Sequence, residues 1–199
     1  MPEQLRVLFN LAVFSGLRKG EMLALQWSDI DFENSTVSVT KAAAVVDGKQ
    51  VCKAPKTKNS RREVSIPRFL TDRLHNLMVE QTKTKESLGA YWKGNNWLFT
   101  QSDGSMMSYS TPYATFQDAI DRCNAGKEPA DQLPHIPFHG LRHTSATLLI
   151  AAHQDVRTVS NRLGHAQAST TMNIYAHALK ENDRTASNAL ENMLCKTGA

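Results

Sequence analysis

Cysteine is scarce in this 199-residue chain. Cys52, Cys123 and Cys195 lie far apart and form no CxxC pair. Three scattered thiols exclude a disulfide framework and a zinc ribbon, and they imply a reducing, cytoplasmic setting. Long apolar runs are missing too. The longest near the start, Val7 to Phe14, is broken by Asn10 and is soon followed by Arg18-Lys19. It is too short to span a bilayer and carries no cleavage-site pattern, so neither a membrane segment nor a signal peptide is expected. A Gly-rich phosphate loop and a GxSxG elbow are also absent, and no cysteine has a neighbouring histidine. In HGLRH (139–143) two histidines stand four apart, but Gly140 occupies the place where a zinc protease needs its glutamate. No third ligand at a familiar spacing repairs this, and no metal site is expected.

What is present suits one ordinary domain. The hydrophobic fraction is 41%, enough for a proper core. Net charge is +4, and it is unevenly spread. Between Lys41 and Arg68 stand eight basic residues (Lys41, Lys49, Lys53, Lys56, Lys58, Arg61, Arg62, Arg68) against Asp47 and Glu63, so this stretch nets +6 and the remainder −2. Such a stripe is what contact with a phosphate backbone requires, and Lys53, Arg61 and Arg62 are the candidate DNA contacts. The plainer alternative is a solvated hairpin face with surplus cations.

The periodicity predicts an α+β, mostly helical domain. Leu5, Leu8, Phe9, Ala12 and Val13 keep helical spacing from the first residues, as though the chain opened inside a larger protein. Gly16 breaks that helix, and a short second one runs from Lys19 to Gln26. Alternation then predicts three antiparallel strands: 36–40 continued by Val45-Val46, 49–54 after the Asp47-Gly48 turn, and 62–66. Leu70, Leu74, Leu77 and Met78 line a helix after Pro67. Trp97 to Thr100 reads as a short extended piece, and Thr111 to Cys123 as a helix with Pro112 at its start. The last third is helical. One helix starts near 138–140. A second is capped by Asp155 and Gly164. A third, capped by Ser169, contains Tyr175, and a final amphipathic stretch carries Ala186, Ala189, Leu190, Met193 and Leu194.

Arg18 precedes one helix and Arg142 lies in the first turns of another, near Glu21 and His139 respectively. A guanidinium meets two phosphate oxygens at once and never loses its charge, although the usual fate of an arginine is a surface ion pair. His165 after Gly164 reads by itself as a helix-end cap, and Tyr175 by itself as a core tyrosine.

The stretches SGLRKGE, PKTKNSRREVSIP, HGLRH and LGHAQASTTMNIYAH, in that order, resemble the signature of the tyrosine recombinases, the phage-integrase family. The run WSDIDFENST (27–36) is similar to integrases of phages and conjugative transposons. The resemblance covers about residues 10 to 180. It implies a tyrosine-recombinase catalytic domain over 1–199, with a small three-stranded antiparallel sheet, a tail helix at 177–199 and, in a full-length protein, a core-binding domain upstream. It implies that Arg18 and Arg142 grip the nonbridging oxygens of a scissile phosphate and that Glu21 supports Arg18. His139 would assist proton transfer, His165 would donate to a phosphate oxygen, and Tyr175 would attack to give a 3′-phosphotyrosyl link. A hairpin lysine would protonate the departing 5′ oxygen; Lys56 fits the pattern and Lys58 is its rival. His143 would be structural or supporting. These cations supply what metal ions supply elsewhere, so no cofactor is needed. The implied activity is site-specific cleavage and rejoining of double-stranded DNA for integration or excision of a mobile element. The implied assembly is a homo-tetramer on DNA for the full-length protein and a monomer for this chain alone. A topoisomerase of type IB, or a non-catalytic DNA-binding module of the same fold, is the alternative.

Overall fold

The computed structural model describes residues 1–54, 61–165 and 191. Lys56, Lys58, Tyr175 and the 177–199 tail (apart from the isolated Glu191) fall outside the described residues.

Helix α1 (Glu3–Ser15) buries Leu5, Val7, Leu8, Leu11 and Ala12. It ends where Gly16 turns left-handed at φ 66° and its N–H returns to the Ala12 carbonyl. Helix α2 (Lys19–Leu23) follows, with Arg18 as its cap residue. It stops three residues before the expected Gln26. There the backbone is extended and the Gln26 N–H donates to Asp29 Oδ2 (2.8 Å), so the next turn captures the amide that would prolong the helix.

A three-stranded antiparallel sheet has the order β1 (Ile30–Asp31), β2 (Thr36–Val39), β5 (Arg62–Ser65). Val37 faces Val64 and Val39 faces Arg62 across the ladder. Strands β3 (Ala42–Val46) and β4 (Lys49–Lys53) form a separate hairpin around the Asp47-Gly48 turn. The sequence pattern had placed 49–54 in the sheet; the short third member is β1 instead. Between β2 and β3 the Lys41 ammonium meets Gln26 Oε1 (2.8 Å) and Asp29 Oδ2 (2.9 Å).

The long helix α3 (Arg68–Leu88) buries Leu70, Leu74 and Leu77. With α1, the inward valines of the sheet, Leu98 and Phe99, these side chains make the main core. The 97–100 piece is extended but makes only isolated bridges, Gln26 to Trp97 and Thr100 to Met106. Helix α4 (Thr111–Asn124) contributes Phe116, which packs with Phe9 and Phe138 at ring centroid distances of 5.6–6.0 Å. That aromatic trio anchors the chain just ahead of α5 (Gly140–Ala151) and so fixes where His139 emerges. Helices α5 and α6 (Val156–Leu163) close a smaller core of Ala146, Ile150, Val159 and Leu163. Asp155 caps α6 by accepting from the Thr158 N–H (2.9 Å). Among the described residues no helix is long and apolar enough to cross a membrane.

Candidate active site

The last carbonyls of an α-helix have no partner within the helix and carry partial negative charge. At the end of α6 three of them, in succession, accept from three arginines. The Arg162 carbonyl takes Arg62 Nε (2.7 Å), the Leu163 carbonyl takes Arg142 Nη2 (2.6 Å), and the Gly164 carbonyl takes Arg18 Nη2 (3.2 Å). Arg142 Nη1 also donates to the Gly16 carbonyl (2.7 Å), so this side chain, 3% exposed, ties α5 to the α1–α2 turn. The three arginines come from α2, β5 and α5, and one helix end sets the register among them.

Glu21 supplies the compensating charge. It is buried, and its carboxylate accepts from the Arg18 N–H (2.8 Å), Arg18 Nη1 (2.9 Å), Arg62 Nη2 (2.9 Å) and Arg62 Nη1 (3.2 Å). Burial pushes its carboxyl pKa upward. Hydrogen bonding and charge from Arg62, then from Arg18, outweigh that effect, and the net shift is downward. Glu21 is therefore an anion whose lone pairs are spent on two guanidinium groups.

Gly164 must lie where it does. Its φ is +67°, and a Cβ there would sit 2.7 Å from Arg62 Nη1. Beyond it comes His165, whose pKa is pushed down to about 4 by burial first, then by Arg142, Arg18, Arg62 and His143. His139 is displaced in the same direction by burial, His143, Arg142 and Arg18. Its ring lies 5.0 Å from that of His143, edge to face. In His139 and His165 alike, burial and the nearby cations disfavour the protonated imidazole.

Beside Arg18 and His139 opens a cleft of about 390 Å³, whose walls include Lys19, Tyr109, Tyr113 and Phe138. Lys19 Nζ stands 3.9 Å from the centre of the Tyr109 ring, and burial lowers its pKa.

The structure thus gathers Arg18, Glu21, His139, Arg142, His143 and His165. Tyr175 and both candidate lysines, Lys56 and Lys58, lie outside the described residues. Lys53 and Arg61 are exposed. Arg62, expected as a DNA contact, has a side chain that is 8% exposed and bonds Glu21 and the Arg162 carbonyl on the inner side of the site. The strand pattern carried that signal: Arg62 shares its face with inward-pointing Val64 and Ile66. Arg162, which the sequence did not single out, donates to the Phe14 and Ser65 carbonyls (2.6 and 2.8 Å) and pins α6 to α1 and β5.

The family model for the phage integrases matches residues 1–182. The chain belongs to the phage integrase family. Among its relatives in that family, a tyrosine recombinase XerC-like protein of Caldanaerobacter subterraneus is 33% identical over 96% of this chain and 50% of its own length. The ICEBs1 integrase of Bacillus subtilis is 32% identical over 95% of this chain and 49% of its own. This chain spans about half the length of these curated relatives. The integrase of transposon Tn1549, solved in complex with transposon right end DNA, superposes with a TM-score of 0.77 at 23% identity, over 92% of this chain and 58% of that one. That likeness shows that the fold is shared with the integrases.

Proposed function

We propose that this chain is the catalytic part of a site-specific recombinase that cuts and rejoins double-stranded DNA through a 3′-phosphotyrosine on Tyr175. The observation that carries the reading is the end of α6, where Arg18 and Arg142, 124 positions apart in the chain, are held on adjacent carbonyls next to His165. Two fixed guanidinium groups and a histidine, with His139 close by, form a preorganised receptor for one phosphodiester.

In the proposed step the Tyr175 phenolic oxygen attacks phosphorus, and its proton passes towards His139. The bond from phosphorus to the 5′ oxygen breaks, and that oxygen takes a proton from Lys56 or Lys58. Arg18 and Arg142 bear the charge that builds on the nonbridging oxygens, and His165 donates to one of them. Attack by a second 5′-hydroxyl reverses the step and seals a new strand without ATP. Membership in the integrase family, with relatives that include the integrase of Staphylococcus phage L54a and a transposase from transposon Tn916, supports integration or excision of a mobile element as the setting. The same relatives, bacterial and phage proteins, support a cytoplasmic site of action on DNA. Assembly of four subunits on the duplex is part of the same proposal.

Covalent trapping tests it. A duplex nicked beside a candidate attachment site loses the short leaving strand after cleavage, which leaves the protein joined to DNA. The expected result is an adduct with the wild-type chain and none with Tyr175→Phe. An adduct that persists in Tyr175→Phe, or no adduct with any attachment-site duplex, would overturn the reading.

A further inference from the structure

Arg62 has no part in the chemistry just described, yet it is joined to two supports of the site, Glu21 and the end of α6. Two of its nitrogens lie 2.9 and 3.2 Å from the two oxygens of Glu21, the residue that holds the Arg18 N–H and Nη1. Its third, Nε, donates to the Arg162 carbonyl (2.7 Å), and its guanidinium backs directly onto Gly164, whose carbonyl takes Arg18 Nη2. A planar fork can meet a carboxylate in two places and a carbonyl with a third N–H; a lysine ammonium cannot reproduce that geometry.

We propose that Arg62 is a positioning residue that fixes Arg18 through Glu21 and fixes His165 through the end of α6. It contacts neither DNA nor the reacting atoms. The inference rests on the recombinase reading for what the positioned groups do, but the placement of Arg62 does not. Glu21 is buried among donors on both sides. Without Arg62, the carboxylate has only Arg18 to hold it, and Arg18, 39% exposed in its side chain, has room to swing with it. A shift of about 1 Å at a preorganised donor costs on the order of 10²-fold in rate.

Arg62→Met and Arg62→Lys separate this role from a phosphate contact. Three quantities are measured on the whole chain. The first is the single-turnover rate of adduct formation at saturating nicked attachment-site duplex. The second is the Kd for that duplex across a salt series. The third is the titration of the His165 imidazole by NMR without DNA. Arg62→Met is expected to slow adduct formation about 10²-fold while Kd stays within about threefold and its salt slope is unchanged. His165, which faces Arg142, Arg18, Arg62 and His143, should titrate at higher pH once one of these cations is gone. Arg62→Lys keeps the charge and loses the fork, and its rate should fall at least about tenfold.

A weakened Kd with a salt slope smaller by about one phosphate, and an intact saturating rate, would overturn the proposal in favour of a backbone contact. A wild-type rate and an unmoved His165 titration in folded Arg62→Met would also overturn it. Should Arg62→Met not fold, a wild-type rate in Arg62→Lys decides against the proposal in the same way. If the wild-type chain forms no adduct with any duplex, the recombinase reading falls. The His165 titration in Arg62→Lys, which keeps the charge, then decides the positioning role: a moved titration supports it and an unmoved one overturns it.

Discussion

Glu21→Gln is the substitution whose cost follows most directly from the geometry. The carboxylate accepts four hydrogen bonds from Arg18 and Arg62, at 2.8, 2.9, 2.9 and 3.2 Å. An amide of the same shape offers one acceptor oxygen, so two of those donors must face an NH₂ group. Hydrogen bonds to charged groups contribute about 1.5–3 kcal/mol each, and breaking a buried ion pair by altering one partner costs about 3–5 kcal/mol. The two routes agree on a loss of about 3–5 kcal/mol, which for a chain of this length lowers Tm by about 10 °C. The assay is urea unfolding at pH 7, followed by tryptophan fluorescence, with the wild-type m value as the control for an unchanged unfolding reaction. The difference should also depend on pH with a definite sign. The folded-state carboxyl pKa of Glu21 lies below its ordinary value of 4.5. Its contribution is therefore fully present above about pH 4.5 and is lost as pH falls through the folded value. Wild type and Glu21→Gln should converge under acid. A variant within about 1 kcal/mol of wild type at pH 7, with a gap that acid does not close, would refute the claim that this carboxylate holds the arginines.

His165 follows the same proton logic in a higher pH window: its pKa is held near 4 against an ordinary 6.5, so the unfolded chain binds more protons in between, and stability should fall as pH drops from about 6.5 towards 4. His165→Gln should flatten that part of a plot of urea midpoint against pH. A phosphodiester between the guanidinium groups should raise the same pKa, so duplex affinity should rise between pH 7.5 and 6 by more in wild type than in His165→Gln; equal slopes would argue against an anion site there. Gly164→Ala places a Cβ 2.7 Å from Arg62 Nη1 at φ +67° and should cost at least about 1–2 kcal/mol, read as a lower Tm together with slower adduct formation. Leu163→Ala removes a side chain with 0% exposure from the small core between α5 and α6 and should cost about 2–5 kcal/mol by urea unfolding.

Helices were legible where periodicity and punctuation agree. Leu5, Leu8, Ala12 and Gly16 bound α1, and Asp155 and Gly164 bound α6, because local caps and one apolar face decide those elements. Strand partnership was less legible. The Asp47-Gly48 turn announces the pairing of β3 with β4, but nothing local says that this hairpin stands apart from the sheet; Lys41, just ahead of it, bonds back to Gln26 and Asp29, 15 and 12 positions away. Arg62 was legible in two ways. Its charge put it in a basic stripe, whereas alternation with Val64 and Ile66 put it inside. The alternation prevails because a strand's facing is fixed by its pleat, while a guanidinium can be buried if a carboxylate meets it. The convergence of Arg18, Arg62 and Arg142 on one helix end is a tertiary fact, and hydrogen bonds spanning 146, 100 and 21 positions leave no mark on sequence spacing.

That convergence answers a physical difficulty. Arginines brought together repel one another and lose hydration, so a cluster of them needs a partner that does not neutralise the face left for an anion. A second carboxylate would do so. The carbonyl end of α6 does not: it offers half a charge spread over several oxygens, enough to orient the guanidinium groups and too little to cancel them. Glu21 balances only the inner side, between Arg18 and Arg62, and leaves Arg142 to the carbonyls of Gly16 and Leu163. Burial first, and then the cations around them, lowers the pKa of His165 and of His139, and an incoming phosphodiester would meet those cations at a site already built.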